Sequence, residues 1–231
     1  GPGRDRDGRA RTGRECTMRH ASPAALAAVL LACAAPAPVP APSAAAEAPP
    51  LLLLPEGVRP LRYALDLEVV PSAPAFAGTA EIEIELSAPR TSVWMHGLDL
   101  RVSRATVEAR GTGPLPASYT QVNEDGVVKV AFPRAVGPGR ATLRFAFEAS
   151  WGRNLVGLYL ARGGGETYAA TQLEAIFARR VFPAFDEPRF KTPFDVTLTV
   201  PAHDVAVSNA PLAAEEPARD GLRRVRFATT E

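Results

Sequence analysis

The sequence predicts an all-β fold, an antiparallel β-sandwich, from three observations. Short apolar stretches recur at intervals of roughly 8–12 residues. Clusters of Gly, Pro, Asn and Asp separate them, and no segment has a convincing helical period.

The elements follow in order. Tyr63, Leu65, Leu67 and Val69 alternate with Ala64, Asp66 and Glu68, so one face is apolar and the other wet. Ile82, Ile84 and Leu86 alternate in the same way with Glu81, Glu83 and Glu85. Further strands are expected over 93–100, 101–109, 127–132, 141–149, 155–160, 167–173, 194–200 and 222–227. Turns are expected at 111–114, 123–126, 137–139 and 163–165. None of these glycine runs precedes a helical pattern or a Gly-Lys-Ser/Thr sequence, so they read as hairpin turns and not as phosphate cradles.

The region before the strands differs in composition. Residues 1–17 are rich in Arg and Gly and lack apolar periodicity, as in a disordered extension or a stretch upstream of the true start. From Met18 the chain reads as an export signal over 18–33: Arg19 supplies positive charge, and residues 24–32 are an apolar run too short to span a bilayer. That run ends in Leu30-Leu31-Ala32-Cys33, which resembles a bacterial lipoprotein box with Cys33 as the lipidated residue. Ordinary signal cleavage nearby, with Cys33 incidental, is the alternative; either predicts an exported protein, periplasmic or on the cell surface. Residues 34–54 form an Ala/Pro-rich linker closed by four leucines, and the sandwich is expected over 55–231.

Composition narrows the function. With 46% hydrophobic and 22% charged residues the chain is an ordinary globular sequence with material for a core. The formal charge of +1 hides an asymmetry: six arginines and three acidic residues lie within 1–33, leaving 20 basic against 22 acidic residues beyond. That balance gives no basic footprint for nucleic acid. Cys16 and Cys33 are the only cysteines, so the β region can form no disulfide.

The most particular stretch is 171–188, Thr-Gln-Leu-Glu-Ala-Ile-Phe-Ala-Arg-Arg-Val-Phe-Pro-Ala-Phe-Asp-Glu-Pro. In an extended segment the period of two sends Gln172 and Glu174 to one face. Pro188 biases Glu187 towards extended backbone, so the acidic run should form an ordered turn before the next strand. By pattern alone Gln172 and Glu174 read as the solvated face of a strand. Arg179, Arg180, Asp186 and Glu187 read as paired charges that hold a loop. Trp94 and Trp151 read as packing aromatics, and His96 and His203 as isolated structural histidines.

With Gln-x-Glu-Ala, Ala-Arg-Arg-x-Phe-Pro and Phe-Asp-Glu-Pro in this order and spacing, the sequence resembles the N-terminal domain of the aminopeptidase N family of zinc metallopeptidases, the gluzincin aminopeptidases. The resemblance runs from about Leu54 to Glu231 and implies a saddle-like β domain. It also implies that Glu174 pairs with the α-ammonium of a peptide substrate while Gln172 lines the first side-chain pocket. Ala184 stands where the family commonly has cysteine.

The family's zinc would need two histidines one helical turn apart with a glutamate beside the first. His20, His96 and His203 form no such segment, and the family's Gly-x-Met-Glu-Asn segment is missing too. Zinc and the catalytic domain are therefore expected outside these residues, and this chain alone is expected to be inactive. Residues 226–231 resemble the strand that leads into a closing hairpin, so an open sheet edge and poor solubility are expected. The expected partners are peptides with a free N-terminus, the missing catalytic domain and, through Cys33, a membrane. The rival reading is a surface-anchored, non-catalytic β-sandwich that binds peptides or proteins.

Overall fold

The computed structural model describes residues 48–109 and 111–231. The extension, the signal segment, Cys33 and the linker up to residue 47 lie outside the described residues.

Alternation of apolar and polar residues builds the long strands. β1 (Val58–Glu68), β2 (Ala75–Leu86), β4 (Arg101–Ala109) and β8 (Gly139–Ser150) form the middle of an eight-stranded sheet. β5 (Leu115–Pro116) closes one end, while β11 (Phe194–Pro201), β13 (Leu222–Phe227) and β12 (Leu212–Pro217) complete the other. The order across the sheet is β12-β13-β11-β1-β2-β8-β4-β5. β3 (Arg90–His96), β7 (Val127–Val136) and β6 (Ser118–Gln121) form a second sheet in the order β3-β7-β6. β9 (Gly157–Gly163) and β10 (Glu166–Gln172) make a separate two-stranded ribbon.

One core joins the two larger sheets. Ile82, Ile84, Leu143 and Phe145 from the large sheet and Val93, Met95, Val128 and Val130 from the small one belong to a single buried cluster. Tyr119 meets Phe145 edge-on across that interface at 5.8 Å between ring centres. The all-β sandwich-like expectation holds, with one departure from a purely antiparallel sheet. β1 pairs with β11 in parallel, Tyr63 opposite Phe194 through Glu68 opposite Thr199. The physical reason is that β1 joins an antiparallel partner, β2, on one side and a strand from far along the chain on the other. A parallel neighbour has to come from a distant crossover.

Most expected strand positions hold, and the misplacements have local causes. The strand expected over 93–100 stops at His96, and that expected from 155 begins at Gly157. Asn154 and Leu155 both take left-handed backbone, φ 58° and 57°, in a turn before it. Only the last of the four leucines enters the fold: Leu54 is buried, whereas Leu51, Leu52 and Leu53 are exposed. Trp94 is buried in the core, and the Trp151 indole N–H donates to the Ala73 carbonyl at 2.8 Å.

Candidate amine-binding turn

The ribbon delivers the chain to the candidate site. β10 ends where Gln172 pairs with Gly157, and Gly157 needs to be glycine there. Its φ is +71°, and a Cβ at that position would lie 3.2 Å from the Cβ of Arg180. The ribbon end is thereby packed onto the segment that follows Glu174.

Here the structure corrects the period-two placement of Gln172 and Glu174. Gln172 is the last residue of β10 and is exposed, but Glu174 has already left the strand. Residues 174–177 form a turn closed by the Phe177 N–H donating to the Leu173 carbonyl at 2.9 Å, and the Glu174–Ala175 peptide is cis. Strand alternation stops with the pairing, so the two side chains share a neighbourhood and not a strand face. The Glu174 carboxylate is exposed, and among the described residues nothing hydrogen-bonds to it or pairs with it.

The segment beyond the turn is unlike a surface loop. Ala178–Arg180 is a single 3-10 turn, and residues 181–187 are all buried. Polar groups buried this deeply require partners, and they have them. The Arg179 guanidinium donates to the Asp186 carboxylate at 2.9 Å, to the Asp186 carbonyl at 3.1 Å and to the Asp125 carbonyl at 2.8 Å. The Arg179 backbone N–H reaches the same carboxylate at 3.2 Å. Glu187 accepts from the Leu54 backbone N–H and from Arg189. The loop-holding role expected of Arg179, Asp186 and Glu187 is what the geometry shows, while Arg180 makes no ion pair among the described residues.

Two residues missed as partners of this loop complete it. The Asp186 backbone N–H donates to His96 Nδ1 at 3.1 Å, and the Phe185 backbone N–H donates to the Tyr63 hydroxyl at 2.9 Å. Burial, helped by the Arg179 charge, pushes the His96 pKa down to about 3, and burial pushes the Tyr63 hydroxyl well above its ordinary value. Tyr63 also stacks on Phe194 with 4.6 Å between ring centres. His96 is thus structural, as expected for a lone histidine. Its partner lies 90 positions away, a separation that no local signal spans.

Among the described residues no group of three or more His, Cys, Asp or Glu side chains could hold a metal ion. The described residues do not fit a zinc centre. A concavity of about 920 Å³ lies elsewhere, on the wet face of the large sheet between Asp66, Glu68, Arg101 and Glu148. Its charges are already committed: Arg101 pairs with Glu148, Arg224 with Asp66 and Arg219 with Glu68. We assign that face no ligand.

The fold and the buried loop define a β domain with an exposed carboxylate, Glu174, that has no hydrogen bond or ion pair among the described residues and stands on a firmly anchored turn. The family model described as the peptidase M1 N-terminal domain matches residues 59–231. The chain belongs to that family. Among its relatives, aminopeptidase M1-D of Oryza sativa subsp. japonica is 34% identical over 167 residues, covering 71% of this chain and 19% of the relative. Aminopeptidase N of Acetobacter pasteurianus is 30% identical over 182 residues, covering 77% of this chain and 50% of the relative. Human glutamyl aminopeptidase is 30% identical over 184 residues, covering 75% and 19%. The chain therefore spans about a fifth of the rice and human relatives.

Proposed function

We propose that this chain is the part of an exported zinc aminopeptidase that receives the amino end of a peptide. The observation that carries this reading is the exposed Glu174 carboxylate, without a partner among the described residues, on a turn tied to the core by the Arg179–Asp186 pair. A peptide α-ammonium has a pKa of about 8 and is largely charged at neutral pH. A carboxylate fixed in a partly dry cleft discriminates for it and against blocked or internal chain positions. Gln172, at the end of the ribbon, lines the first side-chain pocket. Zinc, the general base and the rest of the cleft belong to the remainder of the full-length protein, and a lipid on Cys33 holds the protein at a membrane after export. The relatives support the activity class, since all three are aminopeptidases by name.

The test uses the full-length protein. A charge-assisted hydrogen bond contributes about 1.5–3 kcal/mol, so Glu174→Gln should raise KM for an amino-acid arylamide by roughly 10–100-fold. Turnover should be lost to a zinc chelator and restored by zinc. An unchanged KM sinks the role of Glu174. A coding sequence with no His-Glu-x-x-His segment beyond residue 231 sinks the enzyme reading altogether.

A further inference from the structure

Among the described residues the Glu174 carboxylate has no hydrogen bond or ion pair to fix it, so the backbone that carries it sets its position. That backbone is tied down in a continuous series of hydrogen bonds. The Leu173 carbonyl accepts from Phe177 N–H at 2.9 Å, closing the turn that holds Glu174. The Phe177 carbonyl accepts from Arg180 N–H at 3.1 Å, and the Ala178 carbonyl from Val181 and Phe182 N–H at 2.8 and 3.1 Å. Arg179, at the centre, is fixed from both ends: its carbonyl accepts from Leu98 N–H at 2.7 Å, and its side chain grips Asp186 and the Asp125 carbonyl.

Asp186 is held in turn by the strand next to it. His96 and Ala184 exchange both backbone hydrogen bonds, at 2.7 and 2.9 Å, and His96 Nδ1 accepts from Asp186 N–H at 3.1 Å. A backbone N–H is always a donor, so Nδ1 must be unprotonated and the neutral imidazole carries its proton on Nε2. The acceptor at position 96 holds the Asp186 backbone, and the carboxylate and carbonyl of Asp186 are the groups that the Arg179 fork bonds.

We infer that His96, acting through Asp186 and Arg179, is a positioning residue that sets the place of the Glu174 carboxylate for the substrate amine. This rests on the reading of Glu174 as the amine-binding group. Arginine suits the central place because its planar fork makes directed bonds to the carboxylate and to two carbonyls at once, which a lysine cannot reproduce. Displacing a binding group by about an ångström weakens its interaction severely, so the effect belongs in substrate capture.

The experiment compares His96→Asn and His96→Leu in the full-length enzyme. The Asn side-chain oxygen sits at the same remove from the backbone as Nδ1 and keeps the acceptor; Leu removes it. Both variants lose packing, so both should melt below the native protein. Only His96→Leu should raise KM for a free-amine arylamide by about tenfold, with kcat per folded molecule within about twofold. Because the effect passes through Glu174, His96→Leu should add little to KM in a Glu174→Gln background. If His96→Leu does not fold, Arg179→Lys serves in its place, with the same rise and the same non-additivity expected. Equal KM values for the Asn and Leu variants, or full additivity with Glu174→Gln, overturn the positioning role while leaving Glu174 in place. A Glu174→Gln protein with native KM overturns the amine-binding reading, and this inference with it.

Discussion

Burial keeps the His96 imidazole neutral in the folded protein, with its pKa pushed down from 6.5 to about 3. The sign of the consequence is fixed by proton uptake. Between pH 6.5 and about 3 the unfolded chain binds a proton at this histidine that the folded chain does not, so stability falls as pH falls through that window. Well above pH 6.5 both states are neutral here and the dependence vanishes. One pKa unit corresponds to about 1.4 kcal/mol, so at pH 5 this group removes roughly 2 kcal/mol relative to pH 7.5. Urea melts at the two pH values should show that loss in the native protein, and His96→Asn should lose correspondingly less. Equal losses would remove His96 as the source. At this scale the sequence was only partly legible. Gln172 and Glu174 can be singled out because the motif around them is distinctive, but the turn that separates them is hidden, because period two holds only as far as the last paired residue, Gln172. Tyr63 and His96 could not be tied to the acidic loop at all, because their partners are 122 and 90 positions away.

The strands show which sequence signals carry energy. On the inner face of the large sheet Ile84 is fully buried, and Ile84→Ala should destabilise the protein by about 2–5 kcal/mol through lost transfer energy and the cavity left behind. On the wet face Arg144 bonds Glu81 on one side and Glu108 on the other, tying β2, β8 and β4 together. Its side chain is 41% exposed, so Arg144→Ala should destabilise by less than about 1 kcal/mol. Chemical denaturation of the two variants side by side checks the contrast, and a larger loss at Arg144 than at Ile84 would refute it. The same contrast explains what was readable. β1, β2 and β8 declare themselves by alternation because each has one buried and one wet face. β12 has the sequence Leu-Ala-Ala-Glu-Glu-Pro, every residue exposed, and β5 is two residues ending in proline. Neither has a buried face to write into a pattern, so neither was predicted. β6, at the edge of the small sheet, is mostly exposed and was missed for the same reason.

Across the whole molecule the parallel β1–β11 pair brings segments about 130 residues apart into one sheet, and this long-range closure was not legible in any local pattern. The arrangement leaves β12 at the margin of the large sheet, with its outer backbone groups unpaired among the described residues. An exposed apolar segment lies nearby in sequence. Val205 and Val207 are 85% and 82% exposed, and among the described residues no backbone hydrogen bond ties 205–208 to a neighbouring strand. An apolar segment with unpaired backbone groups can pair with another chain. The 231-residue chain should therefore associate as its concentration rises. Val205→Lys combined with Val207→Glu should suppress that association without lowering the melting temperature appreciably, since neither side chain is packed. Sedimentation velocity over a concentration series measures both proteins. A native chain that stays monomeric throughout removes the premise. A doubly substituted chain that associates as strongly as the native one moves the sticky edge to β12, where Leu212 is 56% exposed and two glutamates are the only charges.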